Sequence, residues 1–198
     1  MNHVADFEKL ISGYYGSRYA IAVDCCTHAI ELCLRLTKPK SVTCPKHTYV
    51  SIPMTFEKLN LKWNWSDHQW QDFYYITPDI IDAAVYWQEL GYKPGTLMCL
   101  SFQYRKHLNV GRGGMILLDN TEHYKQLCKM RYDGRLDNIP WAEQNIDTLG
   151  YHYYMTPETA KLGIERFKEV VKVTPKRWSY LNYPNLSNMK VFNHVQHK

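Results

Sequence analysis

The chain has 198 residues, 45% of them hydrophobic and 22% charged, with a formal net charge of +5. That length supports one domain with a sizeable core, and the balance excludes an intrinsically disordered chain. Lys and Arg are spread among acids along the chain, a pattern that suits an anionic small-molecule ligand and speaks against a nucleic-acid groove.

No apolar run has the length a membrane helix needs, and the opening "MNHVADFEKL" lacks the features of a secretory signal, so the expected location is the cytoplasm. The six cysteines show no CxxC pair and the nine histidines no HxxxH spacing. They read as reduced thiols and ordinary imidazoles rather than a metal centre.

In chain order, Phe7, Leu10 and Ile11 give segment 4–15 a helical spacing that ends at "SGYYGS". "RYAIAVDCC" predicts a buried strand and "THAIELCLRL" a helix directly after it. "SVTCP" predicts a second strand, "HTYVSIPMTFEKLN" a helix interrupted at Pro53, and "LKWNWSD" a third strand. "HQWQDFYYITPD" reads as irregular, while "IIDAAVYWQEL" has strand character passing into a turn. "LMCLSF" and "GGMILLD" are two more apolar runs, separated by the loop that carries Lys106.

"NTEHYKQLCKMRYDG" has amphipathic helical spacing, and "RLDNIPWAEQNIDTLG" reads as a surface loop. "TPETAKLGIERFKEVVK" opens with Thr156 as N-cap and Pro157 in the first helical position. The final stretch, 176–198, reads as a loosely packed tail. Alternating strands and helices predict a single α/β domain with a mainly parallel sheet flanked by helices.

Three places can carry chemistry. Thr27 stands at a strand-to-helix junction, where it is either a plain cap or, with the free N–H groups of a helix start, a phosphate ligand. Asp82 ends an apolar strand, where burial demands a cationic partner such as a pyridinium nitrogen; otherwise the carboxylate is exposed or caps the next turn. Ser101 and Lys106 lie just past "LMCLSF". Lys106 is either a surface lysine of a basic turn or a desolvated amine able to form a Schiff base.

Together these segments resemble the DegT/DnrJ/StrS family of sugar-nucleotide aminotransferases. "DCCTHAIELCL" is similar to the family's "NSGTxAL", with Cys26 and Thr27 in the Gly-Thr places, and "CPKHTYVSIP" to "PxxTfxAt". "IIDAAVYW" resembles "iEDaAqa", and "LSFQYRKHLNVGRGGMILLDN" resembles "fSFhxxKxlxxGEGGmixtxd", the most specific block. "MRYDGR" and "YHYYMTPETAKLGIERF" match "xRxxG" and "NyRmxxxxAAlgxxqL" in place and order.

The resemblance implies the aspartate-aminotransferase fold and pyridoxal 5'-phosphate as cofactor. It makes Lys106 the Schiff-base lysine, Tyr49 the ring stacked on the cofactor, Asp82 the partner of the pyridine nitrogen, and Cys26, Thr27 and Ser101 cofactor ligands. It gives His152 the place of an asparagine that reaches a neighbouring subunit's phosphate, in a homodimer with its active site at the interface. The implied reaction passes an amino group, usually from glutamate, to a nucleotide-linked keto-sugar.

The sequence departs from the pattern at Val85 for a glutamine, Tyr154 for an arginine and Arg112 for an acid, and the small C-terminal domain is mostly missing. A second reading is therefore a shortened, non-catalytic relative that binds pyridoxal phosphate or only dimerises.

Overall fold

The computed structural model describes residues 2–137 and 139–195. Five helices, α1 (His3–Tyr15), α2 (Cys26–Thr37), α3 (Ser51–Lys58), α4 (Thr121–Arg131) and α5 (Pro157–Val170), accompany seven strands. These are β1 (Tyr19–Val23), β2 (Val42–Pro45), β3 (Trp63–Ser66), β4 (Tyr74–Thr77), β5 (Ile80–Asp82), β6 (Leu97–Ser101) and β7 (Gly114–Leu118). Among the described residues, no helix is long and apolar enough to cross a membrane.

The central sheet runs β1-β7-β6-β5-β4, and β2 and β3 form a separate parallel pair. The α/β class stands, but the central sheet is mixed: β5–β6 is parallel, while β1–β7, β6–β7 and β4–β5 are antiparallel. The reason is local. β4 and β5 are joined through only Pro78 and Asp79, too few residues for a parallel crossover.

Strand periodicity explains why β1, β6 and β7 read as unbroken apolar runs. Ile21, Val23, Cys99, Ile116 and Leu118 face one core with α2 and α4. Ala20, Ala22, Met98, Leu100, Met115 and Leu117 face the other with α1 and α5. A sheet covered on both faces buries every residue of its central strands.

Helix ends follow the chemistry of their sequences. Asn2 accepts the Ala5 N–H and Gly16 (φ 78°) closes α1 in the left-handed conformation. The Thr156 hydroxyl accepts the Thr159 N–H, with Pro157 opening α5 as expected. Pro53 does not interrupt its helix. It falls third in α3, in the first turn, where a missing N–H costs nothing.

Two other expectations are corrected. "HQWQDFYYITPD" contains a strand, because Tyr74 and Ile76 are buried while Tyr75 is exposed, the alternation of an edge strand. The tail is not loose up to residue 195. Leu186 and Phe192 are buried, and the tail joins the chain at Gln71↔Ser179 and His47↔Asn185. It is further tied by Asp72 N–H to Trp178 C=O (2.8 Å), Tyr180 N–H to Trp70 C=O (3.1 Å) and Leu186 N–H to Lys46 C=O (2.8 Å).

Candidate active site

A cavity of about 680 Å³ opens where the ends of β5 and β6 meet the starts of α2 and α3. Its volume is that of a small-molecule site. Cys26, Thr27, Tyr49, Asp82, Ser101 and Lys106 all line it. The predicted residues are thus brought together from four separate segments, His152 excepted. His152 is exposed, bonded through Nδ1 to Asp133 (3.0 Å) and edge-on to the Tyr154 ring, and it does not line the cavity.

Cys25, not Thr27, is the N-cap of α2, and it makes no side-chain cap bond. The plain-cap role considered for Thr27 is therefore absent, and among the described residues the first N–H groups of the helix meet no side-chain acceptor. The Thr27 and Ser51 hydroxyls meet at 2.8 Å, joining the starts of α2 and α3 at the cavity wall. Ser51 was not singled out by the sequence reading, although a serine two residues before a proline is a helix-start signal.

This junction is held close to the sheet by Gly114. A Cβ there would lie 2.4 Å from the Cys25 carbonyl carbon and 2.6 Å from the Cys26 nitrogen. Only glycine lets β7 approach the helix start so nearly.

At the other end of the cavity, Asp82 is buried. One carboxylate oxygen accepts the Tyr74 hydroxyl (2.6 Å), which also meets Thr48 (2.7 Å), and the other accepts the Ala84 N–H (3.0 Å). The β4–β5 register sets Tyr74 opposite Asp82. Burial pushes the Asp82 carboxyl above the usual carboxylate range, against the opposing pull of Tyr74, Ala84 and Lys106. A buried carboxylate with neutral partners is poised to receive a cation.

Lys106 supplies the complementary anomaly. Burial holds its amine below the usual lysine range, although Asp82 and Cys26 pull the other way. Among the described residues Nζ has no hydrogen-bond or ion-pair partner, and it lies 5.6 Å from the centre of the Trp178 ring. A desolvated, unpaired amine is the state a nucleophilic lysine requires. Lys106 is half-buried and lines the cavity. Tyr49 is 57% exposed at the rim, with its ring free to cover a ligand.

Arg112, which stands in an acid's place in the resemblance, donates to Asp24 (2.8 Å), whose other oxygen meets His28 Nδ1 (2.6 Å). The donor atoms of Asp24, Cys25 and His28 lie within 4.8 Å of one another, a grouping the residue spacing did not announce. With both carboxylate oxygens engaged by cationic side chains, ion pairing accounts for the cluster. The His28 ring also stacks on Tyr153 at 3.6 Å.

Burial alone would lower the His28 imidazole. The Asp24 hydrogen bond, with Cys25 beside it, outweighs burial and holds it at about 9. A folded pKa above the unfolded value of 6.5 means stability that is complete below pH 6.5 and lost as pH rises through about 9. Urea titrations of the wild type should show this decline between those values, and His28→Asn should flatten it. Equal slopes in both proteins would assign the decline to another group.

The family model of the DegT/DnrJ/EryC1/StrS aminotransferases matches residues 1–91 and 84–186. No curated protein matches the chain. Among solved structures, AtS13 from Actinomadura melliaura is similar over 100% of this chain and 82% of its own, at 15% identity and a TM-score of 0.84. The sugar aminotransferase CalS13 from Micromonospora echinospora shares 16% identity over 87% of this chain and 62% of its own, with a TM-score of 0.71. DesV from S. venezuelae shares 17% over 86% and 57%, with a TM-score of 0.69. The chain therefore spans less than two thirds of the last two.

Proposed function

The chain belongs to the DegT/DnrJ/EryC1/StrS aminotransferase family, and from that premise we propose that it is a pyridoxal-phosphate-dependent aminotransferase acting on a nucleotide-linked keto-sugar with glutamate as donor. The observation that carries this reading is the meeting, in one cavity, of a buried carboxylate and a half-buried lysine that, among the described residues, form no ion pair with each other or with another group.

The donor set fits the cofactor. The uncapped start of α2, with the hydroxyls of Thr27, Ser51 and Ser101, suits a phosphate. Asp82 suits a protonated pyridine nitrogen, Lys106 an aldehyde carbon, and Tyr49 the face of the ring. Bound there, pyridoxal phosphate supplies an electron sink for carbanion charge.

The chain's own residues do the rest. Asp82, its direction fixed by Tyr74 and Ala84, would hold a proton on the ring nitrogen by its negative charge. Lys106 Nζ, whose charged form burial disfavours, would take a proton from the donor's α-carbon and return one to the acceptor. Arg112 and Arg105 line the cavity and offer cations to an anionic substrate. His152, exposed and outside the cavity, supports a role toward a second subunit of a homodimer.

The test is the visible spectrum of protein incubated with pyridoxal phosphate and desalted. A retained band that glutamate bleaches is the expected result. A retained band that glutamate leaves unchanged would refute transamination from that donor, and no band at all would favour the non-catalytic relative.

A further inference from the structure

The tail provides more than a seal on the fold. Trp178, Asn182, Tyr183, Pro184, Leu186 and Met189 all line the main cavity, so residues after α5 build one wall of the site. A second space of about 110 Å³ lies beside it. Ala84, Val85, Ser101, Arg105, Lys106 and Trp178 line both. Lys106 and Trp178 thus stand together in the partition between the two spaces.

We propose that Trp178 is a positioning residue for Lys106: the indole, fixed by the tail, walls the amine off from water and fixes where it sits in the cavity. The inference deepens the aminotransferase reading and rests on Lys106 being the cofactor's lysine.

The backbone that carries the indole is held by hydrogen bonds. Asp72 donates its N–H to the Trp178 carbonyl, its carboxylate accepts the Trp178 backbone N–H (3.2 Å), and Arg177 pairs with the same carboxylate. Asp72 is buried and adopts a left-handed φ of 62°. A non-glycine residue in that conformation needs surrounding contacts to hold it there, and these supply them.

Two opposing effects act on the amine. An aromatic face favours the charged form, but 5.6 Å is near the limit of its reach. Exclusion of water disfavours the charged form and is the leading cause of the lowered amine. Water exclusion wins, so removing the indole should return the amine toward its ordinary range. The other groups facing Lys106 are Asp82 on β5, Cys26 on α2, Arg105 and His107 on its own loop, and Lys176, whose Nζ lies 4.1 Å from the same indole. Of these, Lys176 alone rests on the indole and loses that contact in a Trp178 variant, so Lys176→Ala is the control for its displacement.

The experiment is competitive acetylation of cofactor-free protein from pH 6 to 11, with Lys106 modification read by peptide mass spectrometry. Trp178→Ala should raise the midpoint for Lys106 by about one pH unit. Trp178→Phe, which keeps an aromatic wall, should restore the wild-type midpoint. Should the alanine variant fail to fold, Trp178→Leu keeps apolar bulk and should move the midpoint up by a smaller amount. An unmoved midpoint in the folded Ala or Leu variant overturns the proposal, as does a shift in Phe as large as that in Ala. The labelling needs no cofactor. Failure of the wild type to retain pyridoxal phosphate would refute the aminotransferase reading, whereas an unmoved midpoint in a protein that retains it would refute this inference alone.

Discussion

Lys106→Ala is expected to abolish the visible band formed with pyridoxal phosphate, to remove the adduct that borohydride fixes on the wild type, and to lower turnover by at least about 10²–10⁴-fold. The loss has two parts. The covalent anchor goes, and with it the base that moves protons at the substrate carbon. Among the described residues no other lysine lines the main cavity; Lys176, the other lysine on the Trp178 ring, borders the small recess.

The fold should survive the change. The Lys106 side chain makes no hydrogen bond among the described residues, and removing a desolvated amine relieves a burial cost. The denaturant midpoint should therefore move by no more than about 0.5 kcal/mol in stability. A variant that keeps both its band and its borohydride adduct would displace Lys106 from the proposed role. A variant that unfolds would assign the lysine to structure.

Most of this site was legible in the chain because its residues sit where regular elements end. Asp82 closes a strand, Ser101 closes another, and Thr27 lies at a helix start, so local periodicity locates each of them. What periodicity cannot supply is the partner. Tyr74 gives no chemical signal in an aromatic stretch, and only the two-residue β4–β5 connection turns it onto Asp82. Ser51 meets Thr27 only once two helix starts converge.

Trp178 was the least accessible. Its role depends on a polar, proline-bearing tail that pairs with residues 70–72 through backbone hydrogen bonds, to which any sequence contributes equally. The sheet direction was misread for a related reason. Buried strands look alike in sequence whether their neighbours run parallel or antiparallel, and the connection lengths decide.

The largest effect on stability should come from Glu8, which no motif marked. Arg131, in the segment resembling "xRxxG", carries no cavity role. It is buried and donates to Glu8, 123 residues earlier in the chain. The pair also serves the backbone. Glu8 accepts the Ala22 N–H (2.8 Å), and Arg131 donates to the Ala22 carbonyl (2.8 Å). β1 is an edge strand of the central sheet, so these side chains satisfy the outward backbone groups that a neighbouring strand would otherwise take.

Glu8→Ala would take the close carboxylate from the buried guanidinium, leaving it the Ala22 carbonyl and the more distant Asp137 carboxylate (3.8 Å), and would leave the Ala22 N–H without its acceptor. Breaking such a pair costs about 3–5 kcal/mol, out of a total of roughly 5–15 kcal/mol for a domain. Chemical denaturation should show the variant marginal or unfolded. The double variant Glu8→Met, Arg131→Met removes both charges and should recover part of the loss, because an apolar pair pays no penalty for buried charge. It should stay below the wild type, since the Ala22 N–H and carbonyl remain unpaired. A Glu8→Ala protein within about 1 kcal/mol of the wild type would mean that water reaches Arg131 and that the edge of β1 is held by something else.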